Sequence, residues 1–288
     1  MTQHTLELPE VRLVYDVHGD LPAADGRRPL LMIGQPMDAS GFQAQVELFP
    51  DRTVVTYDPR GMGRSVRTDG KVTNDPVTQA EDVHVLIDAL AAGPVDMLAS
   101  SGGAVTALAL VTAHPDDVAI LVAHEPPIDC VLSDAEAVHR ARLAYTRAYQ
   151  DAGWGAGMAA FVAMTSWEGA ITEEFLARPL PDPASFGMPS DDDGSRSDPL
   201  LSENSWAVPF YEPDFDALRA ARTRIVVGVG EESLKVYTGR AAIALADRLG
   251  QSPTVFPSHH GGFMGGEFGY AGQPEAFAAK LREVLDSD

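Results

Sequence analysis

The chain has 288 residues, a formal net charge of −21, 45% apolar content and one cysteine. That much apolar material at that length can build the core of one large domain, while the acidity argues against nucleic acid or an anionic membrane as partner, since both call for basic surface. Cys130 alone can close no intrachain disulfide, so no oxidising compartment is required and a cytoplasmic location is expected.

In chain order, the first segments read as two hairpin strands, around 5–9 and 11–18, with no basic start or apolar stretch of signal-peptide type. Pro29–Gly34 (PLLMIG) and Arg52–Asp58 (RTVVTYD) are short apolar runs bounded by Gly and Pro, the pattern of buried strands. From Thr78 to Ala92 the apolar residues Val83, Leu86, Ile87 and Leu90 fall at helical spacing. Val95–Ser100 is a third buried strand, followed by Gly-Gly and a helical run over 104–113; Val118–His124 is a fourth. The rhythm then changes. Residues 127–222 contain no good strand, several amphipathic helical stretches and a Pro/Gly/Ser-rich loop over 189–199 carrying Asp191–Asp193, the expected hinge or disordered segment. Alternation resumes with Arg224–Gly230, a helix over 236–249, strand Thr254–Pro257 and a terminal helix over 274–286.

Strands alternating with helices imply an α/β fold with a mostly parallel sheet, here eight-stranded, covered by helices on both faces. The expected division is a core of residues 1–126 and 223–288, with 127–222 as a helical cap inserted late. No run of about 18 apolar residues occurs, so no membrane span is expected.

The chemistry concentrates where the third buried strand meets its helix, at Leu98-Ala99-Ser100-Ser101-Gly102-Gly103. A strand-to-helix turn of the G-x-S-x-G kind needs small residues two places either side of the nucleophile. Ser101 has Ala99 and Gly103 there; Ser100 would have Leu98 and fails. Such a turn aims the N–H of Gly102 at a developing oxyanion, at the start of a helix whose dipole favours negative charge. A general base must come from a loop at the carboxyl ends of the strands. His260, in Ser258-His259-His260-Gly261-Gly262-Phe263 after the last strand, is so placed, with His259 as competitor; the Gly-Gly after His260 allows close approach of the chain.

Gly34-Gln35-Pro36, the run Asp58-Pro59-Arg60-Gly61-Met62-Gly63-Arg64-Ser65, the Ser101 turn and the His260 loop, in this order and spacing, resemble the α/β-hydrolase superfamily over nearly the whole chain except the cap. The resemblance implies that the N–H of Gln35 is the second oxyanion donor; Pro36 has no N–H to offer. Ile33 stands where the family usually has a histidine. The usual acid, an Asp in G-x-x-D after the post-cap strand, is Ser233 here, in Gly230-Glu231-Glu232-Ser233. Haloalkane dehalogenases and zearalenone-type lactonases take the acid from the end of the preceding strand instead. Ser101-Gly102-Gly103-Ala104 through His124-Glu125-Pro126-Pro127 is similar to those lactonases, which implies Glu125 as the acid, with Glu231 and Glu232 as alternatives.

The resemblance thus implies a serine hydrolase of carboxylic esters or lactones with a Ser101–His260–Glu125 triad. A serine at the elbow argues against dehalogenase or epoxide hydrolase chemistry, which uses a carboxylate. Other reactions on the same triad stay open (C–C hydrolysis, perhydrolysis, a biosynthetic cyclisation), as do an amidase and a non-catalytic ligand-binding relative. No G-x-G-x-x-G turn occurs, and the eight histidines show no HExxH spacing, so neither cofactor nor metal is expected. The expected partner is a small apolar molecule contacted by Trp154, Met158, Phe161, Trp167 and Trp206 of the cap; a homodimer is allowed.

Overall fold

In the computed structural model, which describes residues 1–287, the strands form one sheet of nine. The hairpin is β1 (Thr2–Leu8) and β2 (Val11–His18), followed by β3 (Leu30–Gln35), β4 (Val54–Asp58) and the two-residue β5 (Val66–Arg67). After these come β6 (Val95–Ser101), β7 (Val118–His124), β8 (Arg224–Gly230) and β9 (Thr254–Phe256). Their order is β1-β2-β4-β3-β6-β7-β8-β9, antiparallel through β2–β4 and parallel from β4 onward. The ninth strand, β5, pairs only with β2 and is too short for any periodicity to reveal it.

Buried parallel strands should read as near-continuous apolar runs; β3 and β7 do until their polar ends at Gln35 and His124, while β4, buried throughout, also carries Thr56 and Asp58. On one face, helices α2 (Pro76–Leu90), α3 (Gly102–Ala113) and α7 (Tyr237–Arg248) close over a core containing Val83, Leu86, Leu108 and Leu245. On the other, α1 (Gln43–Leu48) and α8 (Pro274–Asp286) close over Phe42, Phe256, Phe263, Phe277 and Leu281. Helix α2 starts on Pro76 with Asp75 as its cap, accepting from the N–H of Thr78.

Between β7 and β8 lie α4 (Ala135–Thr165) and the short α5 (Glu173–Leu176) and α6 (Phe215–Ala220). Helices α4 and α5 share an apolar core of their own, around Val138, Tyr145, Tyr149, Met164 and Leu201, while Leu218 of α6 packs into the core beneath α3. Helix α4 is one element of 31 residues, broken at Gly153 (φ 84°), where a side chain would be strained and would also strike Asp192. The 189–199 segment, expected as a hinge or disordered, instead lies along α4. Arg196 pairs with Asp192 at 2.6 Å and donates to the Gln150 carbonyl, and Asp198 accepts from Trp154 Nε1 at 3.1 Å. No helix among the described residues is long and apolar enough to cross a membrane.

Candidate active site

The site is built at the carboxyl ends of β3, β6, β7 and β9, where the parallel ladder sets Gln35 beside Ser101 and Ser100 beside His124. Ser101 caps α3 with φ 55° and ψ −128°, a conformation few residues other than glycine adopt. Glu125, just beyond β7, has φ 48°, and Ser258, just beyond β9, has φ 70°. Three of the five non-glycine residues at positive φ among the described residues thus fall at the carboxyl ends of β6, β7 and β9. Such strain persists only where the surroundings impose it, and it clusters at functional sites.

The elbow is tight because α3 lies against β3: a Cβ on Gly103 would come within 2.7 Å of Gly34 Cα and 2.8 Å of the Ile33 carbonyl oxygen. Gly102 opens α3, so its N–H has no carbonyl one turn earlier to bond. The run Asp58–Ser65 fixes the surrounding loops. Asp58 accepts from the N–H groups of Ala39 (3.0 Å) and Arg64 (2.7 Å), and Ser65 Oγ donates to the Asp58 carbonyl. Arg60 grips Asp82 of α2 through two 2.6 Å bonds. Through Ala39, Asp58 holds the chain that follows Gln35, and Arg60 ties the run to α2.

Glu125 is wholly buried, and each of its oxygens is occupied. Oε1 accepts from the Gly230 N–H at 2.8 Å; Oε2 accepts from Thr238 Oγ1 at 2.5 Å and faces His260 Nδ1 at 2.7 Å. Burial alone would raise the carboxyl's pKa, but the hydrogen bond and charge of His260, with His124 and Thr238 adding to them, hold it well below the usual range. An ionised carboxylate only accepts, so Nδ1 of His260 must carry the proton. In the neutral ring Nε2 is then the free base. His260 and Ser101 line the same cavity, of about 390 Å³, and make no hydrogen bond to each other among the described residues.

The alternatives lack these bonds. Glu231 accepts from the Ser258 N–H at 3.3 Å, Glu232 lines the cavity, and neither bonds His260. His259 also lines the cavity, but its ring nitrogens face the Ala271 carbonyl and the Gly261 N–H, not Glu125. Beneath the pair lies His124, fully buried among Phe256, Phe263 and Phe277, both ring nitrogens unpartnered, its pKa pushed down to about 4 by burial.

Of the five cap residues expected at the substrate, Phe161 lines the cavity. The other four do not, which corrects that reading. Trp154 and Met158 pack into the cap's own core. Trp167 bonds the Ala170 carbonyl and lies under Arg178, and Trp206 packs edge-on to His139 and Phe210. The spacing of aromatics defines a helix face, but α4 has apolar faces toward both its own core and the cavity. The cavity wall instead includes Tyr145, Val208, Pro209 and Tyr237, together with Arg142. Arg142 was readable as an anomaly, a charge on the stripe Val138, Tyr145, Tyr149.

The histidines are also less scattered than their spacing suggests. His84, His114 and Asp117 come together so that one potential ligand atom from each lies within 4.8 Å of the others, the two rings stacked at 3.6 Å. Each imidazole has a carboxylate partner, Asp117 at 2.7 Å for His84 and Glu81 at 3.0 Å for His114. This cluster sits at the end of α3 remote from Ser101.

The chain matches the family model described as alpha/beta hydrolase fold over residues 34–183. It is similar to the "uncharacterized hydrolase YraK" of Bacillus subtilis, 24% identical over 99% of this chain and 96% of that protein. Among solved structures, it is similar to a thermophilic esterase from Thermogutta terrifontis, with TM-score 0.63 and 20% identity over 99% of this chain and 98% of that one. An enol-lactonase from Burkholderia xenovorans LB400 aligns with TM-score 0.64 and 19% identity, covering 99% and 100% of the two chains. At that identity the structures speak for the fold alone; with the family match over more than half its length, the chain belongs to the α/β-hydrolase family.

Proposed function

We propose that this protein hydrolyses carboxylic esters or lactones of small apolar molecules through an acyl-enzyme on Ser101. The observation that carries the reading is the 2.7 Å contact between His260 Nδ1 and the buried carboxylate of Glu125, in a loop facing the cavity that Ser101 lines. His260 Nε2 takes the hydroxyl proton as Ser101 Oγ attacks the carbonyl carbon. The N–H groups of Gln35 and Gly102 stabilise the oxyanion, and Glu125 stabilises the imidazolium. The imidazolium then gives its proton to the departing alkoxide. Water, deprotonated by the same ring, cleaves the acyl-enzyme, returning Ser101 and releasing the acid.

The mostly apolar lining of the cavity supports an apolar substrate, and residues 127–222 serve as the lid over it. The printed names of the neighbours, esterase and enol-lactonase, agree with this class. The single Cys130 suits a cytoplasmic setting. A panel of p-nitrophenyl esters and simple lactones tests the reading. The wild-type protein turns over members of the panel, and Ser101→Ala falls to background with an unchanged melting curve. Inert wild-type protein, or an active Ser101→Ala, overturns it.

A further inference from the structure

Arg142 of α4 lies in the cavity wall: a guanidinium, 5% exposed, in a mostly apolar enclosure. Its bonds can be followed one by one. Nη1 donates to Tyr145 Oη at 2.7 Å; Nη2 donates to Asp129 at 3.1 and 3.2 Å and to Tyr237 Oη at 3.1 Å. Tyr237 spends its own proton on Asp129 and the Pro127 carbonyl. Three donor hydrogens are left over, the second one on Nη1 among them. Arg142 Nε is buried without any partner, and Tyr145, which accepts from Arg142, donates to nothing among the described residues. Both residues belong to the cavity lining. A buried donor on a charged group left unpaired is costly, and an ion pair with Asp129 is no better for stability than apolar packing of the same volume. The arrangement therefore fits a ligand acceptor better than a structural role.

We propose that Arg142 Nε–H and Tyr145 Oη–H form a second polar subsite of the cavity, taking an uncharged acceptor on the substrate: a ketone, amide or ester carbonyl distinct from the scissile one. This deepens, and rests on, the reading of the cavity as an ester or lactone site. The acceptor is neutral because Asp129 already balances the guanidinium, at 3.1 Å. A substrate carboxylate would add a second anion to a buried, balanced pair, with Glu232 also on the cavity wall. The substrate class is thus an ester or lactone whose chain carries a further carbonyl.

The test uses binding, so that it does not depend on turnover. Calorimetric titration of the Ser101→Ala protein compares phenyl hexanoate with phenyl oxohexanoates, the ketone placed at successive carbons, and with the phenyl half-ester of a dicarboxylic acid. One oxo isomer is expected to bind about tenfold tighter than the plain ester, the worth of one good hydrogen bond, and the half-ester no tighter than the plain ester. Adding Tyr145→Phe, which keeps the Arg142–Asp129 pair, should erase the gain of the oxo isomer over the plain ester. Should Tyr145→Phe fold poorly, Arg142→Met with Asp129→Leu removes both charges together and should erase the gain likewise. Equal binding of all oxo isomers and the plain ester, tightest binding by the half-ester, or a gain that survives both variants overturns the subsite. Turnover of phenyl hexanoate by wild-type protein separately reports on the hydrolase reading.

Discussion

Glu125 carries a charge where burial opposes one, and its bonds from Gly230, Thr238 and His260, with the charge of His260, keep it ionised. Glu125→Gln keeps the shape but loses the charge and offers an amide donor toward Nδ1, favouring the wrong tautomer. From the triad logic established in serine proteases, kcat/KM should fall by about 10³–10⁴. Glu231→Gln and Glu232→Gln, which touch neither ring nitrogen, should each change it by less than about tenfold. Ester hydrolysis rates of the three variants decide the matter, and a loss concentrated in Glu232→Gln would reassign the acid.

His124 gives a pH dependence with a definite sign. Its folded pKa of about 4 lies below the ordinary 6.5, so the unfolded chain takes up a proton that the folded chain refuses. Stability from this group is full above pH 6.5 and is lost as pH falls toward 4, by about 3 kcal/mol at 1.36 kcal/mol per pKa unit. Glu125, with its pKa depressed from 4.5, adds a loss in the same direction at lower pH. Urea melts between pH 7.5 and 4.5 should show the decline, and His124→Leu should flatten it; a wild-type curve level over that range contradicts the burial argument.

At the scale of elements, the elbow depends on α3 lying flush on β3. Gly103→Ala places a methyl against the Gly34 and Ile33 backbone, which cannot rotate away as a side chain could. It should cost about 1–3 kcal/mol in urea melts and lower kcat by displacing the chain that carries Gln35. A fully stable, fully active Gly103→Ala would show that the turn has slack.

The core elements were legible because buried parallel strands and amphipathic helices have short, strong periodicities. The strand Val118–His124, the strand Arg224–Gly230 and the helix over 274–286 are where the pattern puts them; most others differ by a residue or two, β1 starts three residues earlier, and the short α1 and β5 were not read at all. Ser101, Gly102 and His260 were reachable as candidates because a cramped turn and strand-end loops restrict which residue types fit, whereas Gln35 and Glu125 came only from the family resemblance. The cap was not. Helix α4 faces apolar surroundings on two sides, so Trp154 and Met158 read the same as Phe161 although only Phe161 reaches the cavity. Likewise His84 and His114, 30 positions apart, meet only because α2 packs on α3.

For the whole molecule, 42 acidic against 21 basic residues leave a net repulsion that compactness makes worse. Several arginines are already committed to ion pairs, as Arg60 is to Asp82 and Arg282 to Asp51. Screening should therefore stabilise: raising sodium chloride from about 10 to 200 mM, which shortens the Debye length from about 30 to below 10 Å, should raise Tm. A fall in Tm would mean that attractive pairs outweigh the excess charge.

The proposed chemistry needs a serine made nucleophilic by an imidazole that a buried carboxylate orients, and covalent capture reads this without knowledge of the substrate. Intact protein is treated with a fluorophosphonate, digested and mapped by mass spectrometry. One adduct is expected, on the peptide bearing Ser101, forming rapidly in wild-type protein and far more slowly in His260→Ala. An adduct elsewhere, none at all, or labelling of Ser101 at the same rate without His260 would contradict it.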